Sequence, residues 1–312
     1  MEAQFSFIVS SKQNDLRLLD VLLPMIPYRT AEQWRGILQR GLITIDDVVV
    51  VEDSILKVGQ TIEYVIKDHE EGDVDTRWHC LWEGDDIIAV HKPANLPVNR
   101  TTRNVYNTLI QLVRRETNWR DAHLLHRLDY ETSGVLLIAK NKAATQYYQP
   151  KIHHFIEKKI YWAWVAGAPS WDTQDFICDL DTVEGSAIRS QMHVVPSGTG
   201  KLSRTQFTVL QRFPSSSLIQ CELLSGRKHQ IRAHLSALGH PIIGDKIYSN
   251  DGQYYLKRLE KTLTAADEDL LKTDHHLLHA YRLDFVVGDQ KISVTDDFMS
   301  EEWQRWKSSL QQ

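Results

Sequence analysis

The sequence has few cysteines, no long apolar run and none of the common nucleotide-binding motifs. Its three cysteines, Cys80, Cys178 and Cys221, are far apart and form no CxxC pair, which favours a reducing compartment and argues against a structural zinc site. No apolar segment approaches the roughly 18 residues of a membrane span, and the first ten residues do not have the pattern of a secretory signal. GxGxxG, GxxxxGKS/T and GxSxG are all missing, so we expect no nucleotide cofactor. Together these absences predict a cytoplasmic protein with no membrane segment.

Composition and charge are those of a globular protein with an uneven surface. The chain has 312 residues, of which 42% are hydrophobic and 25% charged, and its net charge is −5. This length predicts about two domains, and the net charge excludes a wholly basic nucleic-acid binder. Residues 46–75 carry ten acids against two lysines, whereas residues 201–250 carry seven bases against two acids. Such a distribution fits a positive cleft for a polyanion and fits random surface scatter equally well.

The first 68 residues have the pattern of a small module of two helices and a β-ribbon. Thr30 and Gln33 form a capping box that predicts a helix over 31–40, and an apolar helix is expected before it over 16–25. Short β-branched runs follow at 42–45, 48–51 and 61–66, the first two joined by Asp46-Asp47. The acidic stretch 69–77 is predicted to be a linker to a second domain, 78–312.

In the second domain, strand and helix patterns do not alternate regularly. We predict strands at 87–90, 134–139, 160–165, 205–210 and 218–224, and helices at 108–116, 142–155 and 228–238. An irregular order of this kind favours an α+β fold with a mixed, mainly antiparallel central sheet over a doubly wound parallel one.

Two polar stretches are candidates for the functional site. Asp129 lies in a tight connection before an apolar strand, where catalytic groups are often held; alternatively, its carboxylate caps the turn by accepting the Thr132 amide. Residues 223–245 place Arg227, Lys228 and Arg232 around the start of a predicted helix, which suits a phosphate or a carboxylate, although a solvated basic face is an equal alternative. His275 and His279 have helical i, i+4 spacing, but no HExxH pattern accompanies them, so we expect no metal site.

These stretches resemble the motifs of RluA-type pseudouridine synthases. HRLDYETSGVLLIAK (126–140) is similar to the HRLDxxTSGLLLxAK motif of that family, and SGRKHQIRAHLSALGHPIIGD (225–245) to its TGRxHQIRxHLxxxGHPIxGD motif. LWEGDDIIAVHKPANLPV, KKIYWAWVAG and HAYRLDF resemble three further family segments, although Asn95 replaces the usual glycine. The first module resembles a small RNA-binding module named after a ribosomal protein, with Asp46-Asp47 replacing its usual Asn-Gly turn.

The resemblance implies a fold, a reaction and roles for individual residues. Asp129 is the expected catalytic carboxylate, Arg227 its positive partner, and Tyr161 the ring that stacks on the target base or, alternatively, packs in the core. Arg127 is expected to fill the stack that the extruded nucleotide leaves. The remaining residues are expected to contact RNA: Lys140, Lys228, His229, Gln230 and Arg232.

The predicted function is the isomerisation of uridine to pseudouridine in structured RNA, ribosomal or transfer, by a monomer without a cofactor. One alternative is a non-catalytic RNA-binding or ribosome-assembly factor that uses the same cleft. Another is a hydrolase that uses Asp129 as nucleophile and liberates free uracil.

Overall fold

The computed structural model describes residues 2–26, 29–101 and 103–310, and it divides into two compact units. Unit 1 comprises Met1–Asp73 and Arg100–Val105, and unit 2 comprises Val74–Asn99 and Tyr106–Gln312. The predicted linker over 69–77 is therefore not a separate segment. His69 is buried, and the carboxylate of Glu71 accepts a hydrogen bond from the Val105 amide. The acidic stretch up to Asp73 belongs to unit 1 because its polar groups find partners there.

Unit 1 is a four-stranded antiparallel sheet with two helices. Its elements are β1 (Ala3–Ile8), α1 (Leu18–Met25), α2 (Ala31–Gln39), β2 (Ile43–Ile45), β3 (Val48–Val50) and β4 (Thr61–Ile66), with the strand order β1-β4-β2-β3. The predicted capping box is confirmed, since the Thr30 hydroxyl accepts the Gln33 amide and the Gln33 side chain accepts the Thr30 amide. The core includes Trp34 and Ile62, both fully buried.

The hairpin between β2 and β3 turns at two acidic residues. Asp46 and Asp47 have φ of 50° and 65°, as a two-residue turn with both central residues left-handed requires. Val48 and Val49 follow it and are exposed. Strand β1, which the sequence analysis did not predict, pairs with β4 through the whole of its length.

Unit 2 is built on a large mixed sheet with helices. Its strands are β5 (His79–Glu83), β6 (Ile87–Lys92), β7 (His123–Leu124), β8 (Ser133–Ala139), β9 (Ile156–Ala166), β10 (Thr173–Asp181), β11 (His193–Val195), β12 (Lys201–Arg212), β13 (Ser216–Leu223), β14 (Leu278–Val287) and β15 (Gln290–Thr295). Its α-helices are α3 (Leu109–Glu116), α4 (Lys142–Tyr148), α5 (Ile152–Phe155), α6 (Gln230–Ala237), α7 (Gln253–Glu260), α8 (Ala265–Leu271) and α9 (Glu301–Ser309). Short 3-10 turns lie at Ser11–Gln13 in unit 1 and at Gln149–Lys151 and Asn250–Gly252 in unit 2.

The sheet order is β11-β10-β12-β13-β9-β14-β8-β6-β5, with β15 beside β14 and β7 beside β8. The pairing of β8 with β14 is parallel, and every other pairing of the described strands is antiparallel. The predicted mixed, mainly antiparallel α+β fold is confirmed. The predicted helix over 142–155 is divided at Gln149–Lys151, where Pro150 cannot donate a helical hydrogen bond.

Strand β8 lies between β14 and β6 in this sheet and is buried along its whole length. It enters the sheet at Ser133 and Gly134, which pair with His279 and Ala280 of β14. Gly134 has φ +115°, and a β-carbon there would lie 2.3 Å from the carbonyl oxygen of Ala280. A glycine is therefore required where the loop that carries Asp129 joins the sheet. None of the helices in the described residues is long and apolar enough to cross a lipid bilayer.

Candidate active site

The loop between β7 and β8 presents the Asp129 carboxylate away from its own backbone. The Thr132 amide donates to the backbone carbonyl of Asp129 at 3.2 Å, so the turn closes without help from the side chain. The Asp129 side chain retains 29% of its exposure. The sequence left two interpretations of Asp129 open, a cap of the turn and a reactive group. The geometry excludes the cap, because the Thr132 amide binds the backbone carbonyl and not the side chain.

Arg232 joins Asp129 to a second, fully buried carboxylate. Its Nη1 donates to Asp129 Oδ2 at 2.8 Å, while its Nε and Nη2 donate to the two oxygens of Asp245 at 2.7 and 2.9 Å. The amides of Ile247 and Tyr248 also donate to Asp245 Oδ1. The Asp245 carboxylate thus accepts four hydrogen bonds, which offset the cost of burying its charge.

This arrangement keeps both acids ionised. Burial by itself raises the pKa of a carboxyl group, but the neighbouring Arg232 guanidinium outweighs it and holds the pKa values of Asp129 and Asp245 below the ordinary range. The two carboxylates in turn raise the pKa of Arg232. Asp129 is therefore a carboxylate at neutral pH, with part of its surface open to an incoming substrate.

The expected partnership of Asp129 with Arg227 is wrong. The Arg227 guanidinium is exposed and donates from Nε to the carbonyl of Leu202 at 3.1 Å. The reason is the start of α6, which begins at Gln230 rather than at the predicted residue 228. Arg227 therefore stays in the preceding loop, while Arg232 lies in the first turn of the helix and is buried.

Gln230, Arg232 and Lys140, three of the residues predicted to contact RNA, are held inside unit 2. Gln230 is buried: its amide nitrogen donates to the Arg204 carbonyl and the Thr205 hydroxyl, and its oxygen accepts from Ser225 Oγ and the Arg227 amide. Lys140 donates to Glu83 at 2.6 Å and lies over the Trp119 ring. These contacts, with the two ion pairs of Arg232, engage side-chain groups that were expected to contact RNA.

Arg127 and Lys228 keep the exposure that a phosphate contact requires. Arg127 lies two residues before Asp129 in the same loop, and Lys228 lies two residues before α6. The remaining predicted contact, His229, is different from both. Its side chain is only 9% exposed, and its Nε2 lies 3.7 Å from Asp129 Oδ2.

Tyr161 of β9 lies in the core of unit 2, and its hydroxyl is close enough to Asp129 to be affected by the charge of that carboxylate. It is 9% exposed and belongs to the main hydrophobic cluster. Burial raises the pKa of its hydroxyl, and the negative charge of Asp129 raises it further. The ring is therefore a core tyrosine and a neighbour of the carboxylate at once, and its role in stacking on a base stays a prediction.

The sequence analysis did not single out Lys92, which is fully buried behind the Asp129 loop. Its ammonium group donates to the carbonyls of Pro93, Leu96 and Tyr130 at 2.7, 2.9 and 3.1 Å. Burial lowers the pKa of Lys92 to about 7, against the opposing charge of Asp129. By binding three carbonyls, it ties the segment after β6 to the residue that follows Asp129. The signal in the sequence was HKPANLPV, which the resemblance matched as a motif without giving its lysine a role.

Glu131 anchors the other side of the loop. Its carboxylate accepts from Lys246 Nζ at 3.1 Å, from Arg258 Nη1 at 3.0 Å and from the His276 amide at 3.1 Å. Despite burial, these cations lower the pKa of Glu131 to about 2. Glu131 falls on an unspecified position of the HRLDxxTSG motif, so the resemblance gave it no role. Its partners lie more than 100 residues away along the chain, and only the fold brings them to it.

Two histidines of this region, His276 and His279, tie the same loop to the start of β14. His275 and His276 precede that strand and His279 is part of it, so their spacing is not helical. His276 Nε2 lies 2.8 Å from the Thr132 hydroxyl, and His279 Nδ1 lies 2.8 Å from the Ser133 hydroxyl. These contacts hold the end of the turn at which the chain enters β8.

Comparisons with known proteins identify a matching family and several relatives of this chain. The profile of the family described as RNA pseudouridylate synthase matches residues 86–237. Mouse (Mus musculus) pseudouridylate synthase RPUSD2 is 31% identical over 240 residues, which cover 77% of this chain and 43% of that protein. Ribosomal large subunit pseudouridine synthase D of Nitrosomonas europaea is 28% identical, covering 86% of this chain and 76% of that protein.

A solved structure shows that the fold is shared. Human RNA Pseudouridylate Synthase Domain Containing 1 superposes with a TM-score of 0.58 at 22% identity, over 78% of this chain and 97% of that one. The matched residues 86–237 include the Asp129 loop, β9 with Tyr161 and the whole of α6 with Arg232. Residues 86–237, which contain Asp129 and Arg232, therefore match the RNA pseudouridylate synthase family.

Proposed function

We propose that this protein is an RNA pseudouridine synthase that isomerises uridine in structured RNA, with Asp129 as its catalytic residue. One observation carries the proposal: Asp129 is kept ionised by the buried Arg232 and is still partly exposed. Asp245, which binds the same guanidinium, is fully buried and cannot meet a substrate.

The reaction needs no external reactant, and its atoms balance within the uridine. The bond between ribose carbon one and uracil nitrogen one breaks, the base turns, and a bond forms from ring carbon five to the same sugar carbon. Carbon five loses its proton and nitrogen one gains one. Attack on the sugar carbon and removal of a ribose proton both require the carboxylate form of Asp129, which the Arg232 contact provides.

The target uridine has to leave the stack of RNA bases to reach the half-buried carboxylate of Asp129. Extrusion costs a few kcal/mol. We propose that Arg127, exposed beside Asp129, occupies the vacated position, and that Lys228 contacts a nearby phosphate. The expected substrates are ribosomal or transfer RNA. The exposed basic side chains of Arg35 and Arg40 on and after α2 support a contribution of unit 1 to RNA binding.

Release of tritium from ring carbon five tests the function. The substrate is total RNA, labelled with uridine tritiated at that carbon, from cells that lack this gene. We expect the purified chain to release tritium and Asp129→Asn to release none while it folds and binds RNA as the wild type does. Release at the wild-type rate by Asp129→Asn would remove Asp129 from the mechanism.

The same assay separates the alternatives. A non-catalytic RNA-binding factor would retain RNA on a filter without releasing tritium. A hydrolase would produce free uracil, which the isomerase does not. The expected monomeric state and cytoplasmic location stay predictions, tested by analytical ultracentrifugation and by imaging of a tagged chain.

A further inference from the structure

His229 is a histidine in an unusual backbone conformation beside the catalytic carboxylate. It has φ 52° and ψ 19°, in the left-handed region, at the residue that precedes α6. A non-glycine residue is uncommon there. This conformation turns the imidazole inward, while the preceding Lys228 stays exposed. The geometry resembles that of a residue held for its side chain rather than one on a solvated basic face.

The contacts of the imidazole favour one of its two neutral tautomers. Tyr248 Oη already accepts the Met192 amide at 2.8 Å, and its own hydrogen is available to donate to His229 Nδ1, which lies 3.1 Å away. The Asp129 carboxylate, which can only accept, faces the other ring nitrogen, Nε2. Burial, with the nearby Arg232, lowers the pKa of His229 to about 4, so the ring is neutral at pH 7. A neutral ring that accepts at Nδ1 carries its hydrogen on Nε2. That nitrogen faces Asp129 Oδ2.

We propose that His229 is a positioning residue for the reaction and that its Nε2–H is a second donor to the Asp129 carboxylate. The inference rests on the proposed pseudouridine synthase function. At 3.7 Å the contact is longer than a hydrogen bond, and it closes when the substrate fills the site, as catalytic hydrogen bonds of free enzymes often do. His229 Nε2 and Arg232 Nη1 both face the same oxygen of Asp129, Oδ2. They fix that oxygen and leave Oδ1 as the atom that reacts with the sugar.

Tyr248 connects the two donors. Its hydroxyl sets the tautomer of His229, and its ring lies 5.1 Å from the guanidinium of Arg232. The amide of the same residue donates to Asp245. Tyr248 is therefore placed to hold the donors in register with Asp129, although it does not itself touch that side chain.

Substitution of His229 by glutamine and by asparagine separates positioning from a purely structural role. The amide nitrogen of glutamine reaches the place of imidazole Nε2, whereas that of asparagine reaches only the place of Nδ1. Asparagine is better tolerated in the left-handed region. A structural role therefore predicts that His229→Asn is the more active variant, and a positioning role predicts the reverse.

We expect the kcat of H229Q to exceed that of H229N by about tenfold, the value of one hydrogen bond to a charged group, with KM values within about twofold of each other. Tritium release from the labelled RNA measures both constants. The same pair of substitutions at His153, an exposed histidine, is the matched control and should show no difference. Circular dichroism and melting temperature establish that each variant is folded.

Tyr248→Phe is the second variant, because it keeps the ring over Arg232 and removes only the hydroxyl. We expect its kcat to fall about fivefold, since the donor hydrogen of His229 is no longer held on Nε2. If H229N equals or exceeds H229Q, or if Tyr248→Phe has the wild-type kcat, the positioning role is overturned while the function stands. A wild-type chain that releases no tritium overturns both.

Discussion

Arg232 is the residue on which both the stability and the charge state of the site depend, and Arg232→Met tests this directly. Methionine keeps much of the side-chain volume and removes the cation. Asp245, which is fully buried, then keeps only the two backbone amides as donors. Removal of one partner of a buried ion pair typically costs about 3–5 kcal/mol. We expect about 3 kcal/mol here, because those amides remain and Asp129 is open to water.

A double-mutant cycle isolates the buried pair. Asp245→Asn combined with Arg232→Met removes both charges, so we expect the double variant to lose less stability than the sum of the single variants by about 2 kcal/mol. Urea unfolding followed by tryptophan fluorescence measures each free energy. The control is Arg204→Met, because Arg204 makes a similar paired contact with Asp175 while both side chains are 40% exposed or more. It should cost at most about 1 kcal/mol.

The result that would refute this reasoning is a small loss without coupling. In one such outcome, Arg232→Met lowers the free energy of unfolding by less than about 1 kcal/mol; in the other, its effect simply adds to that of Asp245→Asn. Either result would show that the ion pair does not compensate for the burial of the Asp245 charge. In the same variant the pKa of Asp129 should rise, because its main cation is gone. The acid limb of the pH–rate profile should therefore move to higher pH.

Three further predictions follow from the same contacts. Folding stability should fall as pH drops from 6.5 towards 4, by up to about 1.4 kcal/mol per pH unit for each buried histidine, because the unfolded chain takes up protons there and the folded chain does not. The histidines concerned have pKa values lowered to about 3 or 4 by burial, namely His126, His229, His234 and His276. Urea midpoints at pH 7, 6 and 5 measure the effect. A midpoint that does not change with pH would contradict it. Replacement of Arg127 and Lys228 by alanine should weaken RNA binding and flatten its dependence on salt, so filter binding with an unchanged salt slope would show that neither residue meets a phosphate. Asn95→Ala should lower the free energy of unfolding by about 1 kcal/mol, and by more than Asn95→Gly does, because Asn95 has φ 58° and accepts the Tyr130 hydroxyl. Urea unfolding measures both variants. Equal losses would show that the backbone conformation contributes nothing.

The elements with strong local signals could be predicted from the sequence. The capping box at Thr30 marks the start of α2, and the alternation of Ile62, Tyr64 and Ile66 gives the bounds of β4. Strands with a weaker pattern were missed. Strand β10 alternates exposed and half-buried residues for most of its length, because one of its faces is only partly covered, and β1 was missed although its phenylalanines alternate with polar residues.

The partner of Asp129 could not be predicted, because the deciding contacts are not local. Ser225 and Gly226 indicate a helix start near residue 227, yet the side chain of Gln230 accepts both the Ser225 hydroxyl and the Arg227 amide. These bonds fix residues 225–227 as a loop against the start of α6, so that Arg227 is not part of the helix. Asp129 and Arg232 are 103 residues apart in the chain, so only the packing of the Asp129 loop against α6 reveals the pair.

The geometry of Arg232 shows how the fully buried Asp245 orients the guanidinium that pairs with Asp129, the proposed catalytic residue. Asp245 binds Nε and Nη2 of the guanidinium, which fixes the plane of the group. Because the group is planar, the direction of Nη1 is then also fixed, and Nη1 is the atom that meets Asp129. The charge of Asp129 is thus maintained by a cation that cannot turn towards RNA phosphates. The phosphate contacts that we propose for this site therefore fall to the exposed residues Arg127 and Lys228 rather than to the buried Arg232.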